Sequence, residues 1–172
     1  IAKIQGIATR LMQNANSDLA QDLSSIQIAS QDLHRYIQSI LQVTRVESSD
    51  FKIKKEAYDI NEIIEKAYDQ LKALGFEKNL DIQLKLEPMF SIEVDSALIF
   101  EVIANLIENA IKYTPKNGKI LISSSEVDNY VVVTVHDCGD GIPKEEQEQV
   151  WEKFYRGKKH NLSTQGTGLG LY

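Results

Sequence analysis

Five polar residues in the stretch VDSALIFEVIANLIENAIKYTP recur at helical spacing: Glu101, Asn105, Glu108, Asn109 and Lys112. At about 100° per residue they fall within an arc of roughly 100° on one side of a helix. Asparagine is a mediocre helix former, so two of them one turn apart ask for a further reason. Their amide oxygens can bind a hard cation or accept from water, and Lys112 offers a charge to phosphate. The same stripe also reads as the wet face of an amphipathic helix whose apolar side is Ile99, Val102, Ile103, Leu106 and Ala110.

Three further stretches carry chemistry. In DCGDGI a strand of VVVTV ends at Asp137, with Gly139 and Gly141 following in an Asp-x-Gly-x-Gly pattern. A carboxylate there can accept from an exocyclic amine, while glycines let a planar ring approach the backbone. A plain strand-to-loop turn would use the same residues. WEKFYRG puts Trp151, Phe154 and Tyr155 beside a basic cluster of Lys153, Arg156, Lys158 and Lys159. That cluster is either a solvated loop or an anion site. In GTGLGLY, the backbone N–H groups of Gly166, Gly168 and Gly170 can face phosphate oxygens as the chain enters a helix. The spacing matches neither the P-loop nor the dinucleotide fingerprint.

These stretches need elements to hold them. Within the first ~50 residues the seam Leu19, Leu23, Ile26, Ser30, Leu33, Ile37, Ile40 and Thr44 follows alternating four- and three-residue steps. Ile1, Ile4, Ala8 and Leu11 repeat the spacing before the turn-rich QNANSD. The pattern predicts a helical hairpin whose seam is long enough to want a second copy, as a four-helix bundle. From Phe51 the pattern is mixed. It predicts an edge strand over 52–58 and a helix capped by Asp59, with Ile60, Ile63, Ile64, Ala67, Leu71 and Leu74 inward and Gly75 at its end. Short strands follow over 80–86 and 90–94, then a helix capped by Asp95 or Ser96 and running to Tyr113. Strands through Val127 and over 130–137 flank a turn at Asp128–Asn129. The order implies helices on one face of a mixed sheet, with a domain junction near residues 48–50.

The totals narrow the class. Nineteen basic and twenty-five acidic residues give a net charge of −6, which disfavours non-specific nucleic-acid binding. The single cysteine, Cys138, excludes an internal disulfide and a cysteine-cluster metal site. No apolar run reaches the ~18–20 residues of a membrane span, and no signal-peptide pattern opens the chain.

Taken together, the four stretches resemble the boxes of the sensor histidine kinases of two-component signalling. NLIENAIKYTP resembles their N box, DCGDGIP the first glycine box, WEKFYRG the F box and GTGLGLY the second glycine box. VTRVESSDF, leading out of the heptad helix, resembles the exit from their dimerisation module. The resemblance implies an α+β chain. Residues 1–49 would be part of a dimerisation and phosphoacceptor hairpin, and 50–172 an ATP-binding α/β sandwich of the kind shared with gyrase, Hsp90 and MutL. It implies ATP and Mg²⁺, a homodimer through the hairpin, a response-regulator receiver domain as partner and a cytoplasmic location for this portion, with a membrane anchor only upstream.

By the same resemblance Asn109 would coordinate magnesium with Asn105 one turn earlier, and Lys112 and Tyr113 would meet phosphate and line the pocket. Asp137 would recognise adenine, with Gly139, Gly141 and Ile142 shaping its pocket. Phe154 and Tyr155 would support a lid from about Pro143 to Gln165, with Arg156 near the phosphates. Gly166, Thr167, Gly168, Leu169 and Gly170 would wrap the triphosphate. Glu108 stands where the ATPase relatives use a general base.

Two departures from the family pattern stand out. The acceptor motif, a histidine soon followed by proline, is missing, so the acceptor is expected upstream of IAKIQGIATRLM. His34 lacks the acidic neighbour and proline of that motif and reads as a helix-surface or dimer-interface residue. His136 fits a strand face and His160 the lid. A final helix and strand are expected beyond Tyr172. A catalytically inactive nucleotide-binding regulator and a gyrase- or Hsp90-type ATPase are the alternative functions.

Overall fold

The computed structural model describes residues 1, 4, 7, 11, 17–48, 50–157 and 167–172. Ile4, Ile7 and Leu11 are helical, and a thirty-residue helix α1 spans Ser17–Val46. The turn expected over residues 13–16 and the seam position Ala8 lie outside the described residues. Along α1, Leu23 and Ser30 are buried, whereas Leu19, Ile26, Leu33, Ile37 and Ile40 stay substantially exposed. Ser25, Ser39 and Thr44 each return a hydroxyl hydrogen bond to the carbonyl four residues back, which quiets polar groups on a helix that carries an apolar seam.

The mixed part runs β1 (Glu56–Tyr58), α2 (Ile60–Glu77), β2 (Asp81–Leu86), β3 (Ile92–Val94), α3 (Ser96–Tyr113), β4 (Lys119–Val127) and β5 (Tyr130–Asp137), then two short 3-10 turns. The strands form two sheets rather than the one mixed sheet that the sequence implies. β1 pairs antiparallel with β3, and β2 pairs parallel with β4, which pairs antiparallel with β5. The last β2-side ladder bond is Glu87 N–H to Ser124 O at 3.2 Å; Pro88 follows and has no N–H to extend it. The edge strand predicted over 52–58 shrinks to Glu56–Tyr58 for want of a longer partner in β3.

Helices α2 and α3 pack against each other and over the three-stranded sheet, with Ile64, Ile107, Ile120 and Ile122 at the centre. Asp59 caps α2 by accepting from Asn61 N–H at 2.9 Å. The inward face of α2 is as the periodicity predicts, except that Leu74 is 44% exposed and Gly75 takes the buried position. Gly75 does not end the helix. A Cβ on it would lie 2.6 Å from Ile82 Cδ1, so the glycine makes room for β2, and the helix runs to Glu77 with Lys78 as its cap and Asn79 at φ +53°.

The inward face of α3 is rotated from the predicted one. Ile103, Ile107, Ala110 and Ile111 are buried, while Val102 is 54% exposed. Apolar residues stand nearly all round this helix, so periodicity alone leaves its roll undetermined. Asp128 and Asn129 both take positive φ, 48° and 68°, as the tight β4–β5 turn requires.

Candidate functional site

Helix α3 is held at both ends. Asp95 accepts from Leu98 N–H at its start and also from Lys54 N–H at 3.0 Å, across forty-one residues of sequence. The Lys54 bond is the main reason that the Asp95 carboxyl stays below its ordinary pKa. At the other end the ammonium of Lys78 donates to three carbonyls of the last turn. Between these ends the polar stripe faces a cleft of about 870 Å³, and Glu101, Asn105, Glu108, Asn109 and Lys112 all line it. Leu106, expected in the core, is half-buried on the same wall. Lys112 lies 4.9 Å from the ring centroid of its neighbour Tyr113, which also lines the cleft.

The second wall begins where β5 ends. Asp137 is half-buried, lines the cleft and accepts from Gly139 N–H at 2.7 Å. One oxygen therefore organises the turn, and among the described residues the other has no hydrogen-bond donor. Gly139 itself is not on the wall. A Cβ there would lie 2.8 Å from the Tyr113 carbonyl oxygen, so its role is the close seating of this loop on the end of α3. Gly141 takes φ +70° with no atom within 4 Å of where a Cβ would stand, and Ile142 follows it along the wall.

The third wall comes from the aromatic and glycine stretches. Tyr155 and Arg156 line the cleft, with Thr167, Gly168 and Gly170. The Tyr155 hydroxyl is buried beside Glu146. Burial first and the Glu146 carboxylate second push its pKa up. Phe154 is off the wall. It sits at φ +63°, and Gly168 seats on its backbone, where a Cβ would lie 2.7 Å from the Phe154 carbonyl carbon. Leu169 is also off the wall, buried 7% exposed as an anchor, while Thr167 Oγ1 accepts from its N–H at 3.2 Å. Gly170 stands 3.5 Å, at its virtual Cβ, from Asn105 Oδ1. Gly166, Lys158, Lys159 and His160 lie outside the described residues.

The remaining wall is one the sequence did not announce. His34, Arg35, Tyr36, Gln38, Ser39 and Gln42 of α1 face the same cleft, and His34 is exposed on the helix surface there. Asp140 and Glu146 were also missed. Helical spacing places residues 34, 35, 38 and 42 on one face, but nothing in the sequence says which neighbour that face meets. His136 lies on the exposed face of β5, opposite Leu121. Just past α1, Glu47 takes hydrogen bonds from Lys153 and from the Tyr172 hydroxyl.

The donor set fits an adenine nucleotide with a hard cation. Two amide oxygens one turn apart, a lysine, a carboxylate and a phenol share one cleft, and four positions on its wall are glycines. An Asn oxygen and phosphate oxygens are suitable ligands for Mg²⁺, which keeps much of its water.

Comparisons with known proteins bear on the family and the fold. A family model described as histidine kinase-, DNA gyrase B- and HSP90-like ATPase matches residues 94–172. The sensor protein KdpD of Escherichia coli K12 is 30% identical over 165 residues, 96% of this chain but 18% of that protein's length. The solved catalytic domain of histidine kinase ThkA is 34% identical and superposes with a TM-score of 0.61, covering 68% of this chain and 74% of that one. ThkA has also been solved with response regulator protein TrrA. That complex matches at 26% identity and TM-score 0.70, over 89% of this chain and 46% of that one. ShkA in complex with AMPPNP shares the fold at 22% identity and TM-score 0.78, over 98% of this chain and 35% of that one.

Proposed function

This chain belongs to the histidine kinases with a gyrase- and HSP90-like ATPase domain, and on that premise we propose that it is the ATP-binding and kinase portion of a sensor histidine kinase. The observation that carries the reading is one cleft uniting Asn105, Asn109 and Lys112 with Asp137 and with Gly168 and Gly170. Residues 50–172 are read as the catalytic domain and 1–49 as part of the dimerising hairpin.

In this reading the free Asp137 oxygen accepts from the adenine amine, and the ring lies over the open space at Gly141, beside Ile142. Asn109, assisted by Asn105, contributes amide oxygen to Mg²⁺, which would neutralise phosphate charge and orient the triphosphate. Lys112 and Arg156 meet the phosphates, and the backbone N–H groups at Gly168 and Gly170 complete the cradle. Tyr155 brings a phenol to the same cleft, beside the Glu146 carboxylate. The role of the protein is therefore chiefly position and charge neutralisation. The bond between the γ-phosphorus and its bridging oxygen would break, an imidazole nitrogen of an acceptor histidine would take the phosphoryl group, and ADP and the imidazole proton would leave. An aspartate on a response regulator would then receive the phosphoryl group. ThkA, solved with a response regulator, supports that kind of partner. The exposed α1 seam supports a homodimer. Among the described residues no helix is long and apolar enough to cross a membrane, and we place this portion in the cytoplasm.

The test incubates the longer parent protein with Mg²⁺ and γ-labelled ATP beside an Asn109→Ala control. Label in an acid-labile, alkali-stable form, absent from the control, is the expected result. Steady ATP hydrolysis that never labels the protein and depends on Glu108 would instead favour an ATPase. ATP binding with neither reaction would favour a regulatory nucleotide-binding protein.

A further inference from the structure

The Lys78 ammonium donates to the carbonyls of Ile111 at 2.8 Å, Lys112 at 2.8 Å and Thr114 at 2.9 Å. The last carbonyls of a helix have no partner within it and carry the negative end of its dipole. An ammonium has three donors and nothing else to satisfy, so one lysine closes the end of α3. The backbone of Lys78 is fixed as well. Its N–H bonds Gly75 O at 3.1 Å, and its carbonyl accepts from Asn117 N–H at 3.0 Å. The clamp is thus anchored in α2 and in the turn that leads to β4, not on the helix it holds.

The carbonyl that Lys78 does not take is Tyr113's, and that one backs onto Gly139. A Cβ on Gly139 would stand 2.8 Å from Tyr113 O and 3.2 Å from its carbon. The N–H of the same glycine holds Asp137 Oδ1 at 2.7 Å. A continuous set of contacts therefore runs from Lys78, through the last turn of α3, to the Gly139 loop and the carboxylate on the cleft wall. Lys78 itself is not on that wall.

We infer that Lys78 is a positioning residue of the nucleotide site: by clamping the last turn of α3 it sets Lys112 and, through Tyr113 and Gly139, aims the Asp137 carboxylate. The inference rests on the adenine-nucleotide reading of the cleft. A helix end that is free to fray moves its side chains by an ångström or so, enough to spoil a directional hydrogen bond. Adenine recognition then suffers more than general phosphate attraction.

Affinities of ATP and of inosine triphosphate, which carries a carbonyl where adenine carries its amine, separate these effects. Titration of the chain and of Lys78→Met should show ATP affinity falling about tenfold, with the preference for ATP over inosine triphosphate narrowing. Lys78→Arg, which keeps charge and donors, should recover part of that preference. Lys72→Met, on the solvent side of α2, should change nothing. Thermal unfolding is measured alongside, and Lys78→Gln, which keeps two donors, replaces the Met variant if that one does not fold. A folded Lys78 variant that keeps the wild-type ATP preference overturns the inference and leaves the nucleotide reading intact. An unsubstituted chain that binds neither nucleotide overturns both.

Discussion

Gly170 stands against the side-chain amide of Asn105, with 3.5 Å between Asn105 Oδ1 and the point a Cβ would occupy. That is ordinary contact, so the fold itself has room for a methyl group there. Gly168 differs on both counts. It takes φ +69°, and a Cβ would lie 2.7 Å from Phe154 C and 2.8 Å from Tyr155 O. Gly170→Ala should therefore unfold within about 0.5 kcal/mol of the wild type, while Gly168→Ala should lose about 2 kcal/mol from the strained φ and the clash. Urea denaturation of the two variants decides it. Equal stability would mean that the seating of Gly168 on Phe154 is not what the turn depends on.

Asp137→Asn tests the division of labour between the two carboxylate oxygens. The Asn carbonyl can still accept from Gly139 N–H, so the turn should survive and the melting temperature should barely move. The other atom becomes an NH₂ donor facing the adenine amine. Loss of that acceptor is worth about 2 kcal/mol, or roughly 30-fold in ATP affinity. Calorimetric titration that finds ATP affinity intact would remove Asp137 from adenine recognition.

What the sequence conveys about this site, and what it hides, follows from locality. Asn105, Asn109 and Lys112 are legible because helical spacing alone puts them on one side, and Asp137 because a strand ends there. Positive φ at Asp128 and Asn129 is equally local. The roll of α3 is not legible because Val102 and Ile107 are interchangeable to a periodicity argument, and only the packing of α2 and the sheet chooses between them. Gly75 looked like a helix stop because the approach of Ile82, seven residues on, cannot be read from the helix itself. Lys78 is more distant still: its three acceptors lie 33 to 36 residues away. The α1 wall with His34 belongs to the same class of tertiary fact.

The α1 seam predicts an assembly. Leu19, Ile26, Leu33, Ile37 and Ile40 are left substantially exposed along one helix, and a second copy would remove that apolar surface from water. Ile37→Glu would bring a charge from each copy into the seam, which should weaken self-association at least a hundredfold, about 2.7 kcal/mol. Sedimentation velocity across a concentration series reads this directly. A wild type that stays monomeric at high concentration, or a variant as dimeric as the wild type, would rule out this seam as the interface.

The contact of Glu47 with Lys153 and Tyr172 joins the exit of α1 to the aromatic stretch, and it carries a defined pH dependence. The Lys153 hydrogen bond first, and the Tyr172 hydroxyl second, hold the Glu47 carboxyl below its ordinary 4.5. A carboxyl lowered in the folded state contributes fully above its unfolded value and loses that contribution as pH falls through the lowered one. Lys153 is raised by the same bond, so its share is complete below 10.5 and fades only above that. The contact should thus hold across neutral pH and release on the acid side, below about 4.5. Trp151, the one tryptophan of the chain, stands two residues before Lys153 and reports on it by fluorescence. Asp95 titrates in the same acid region, so the informative quantity is the difference between wild type and Glu47→Gln. The acid limb of the Trp151 signal should be smaller in the variant. If the two limbs superimpose, α1 is not tied to the aromatic stretch through Glu47.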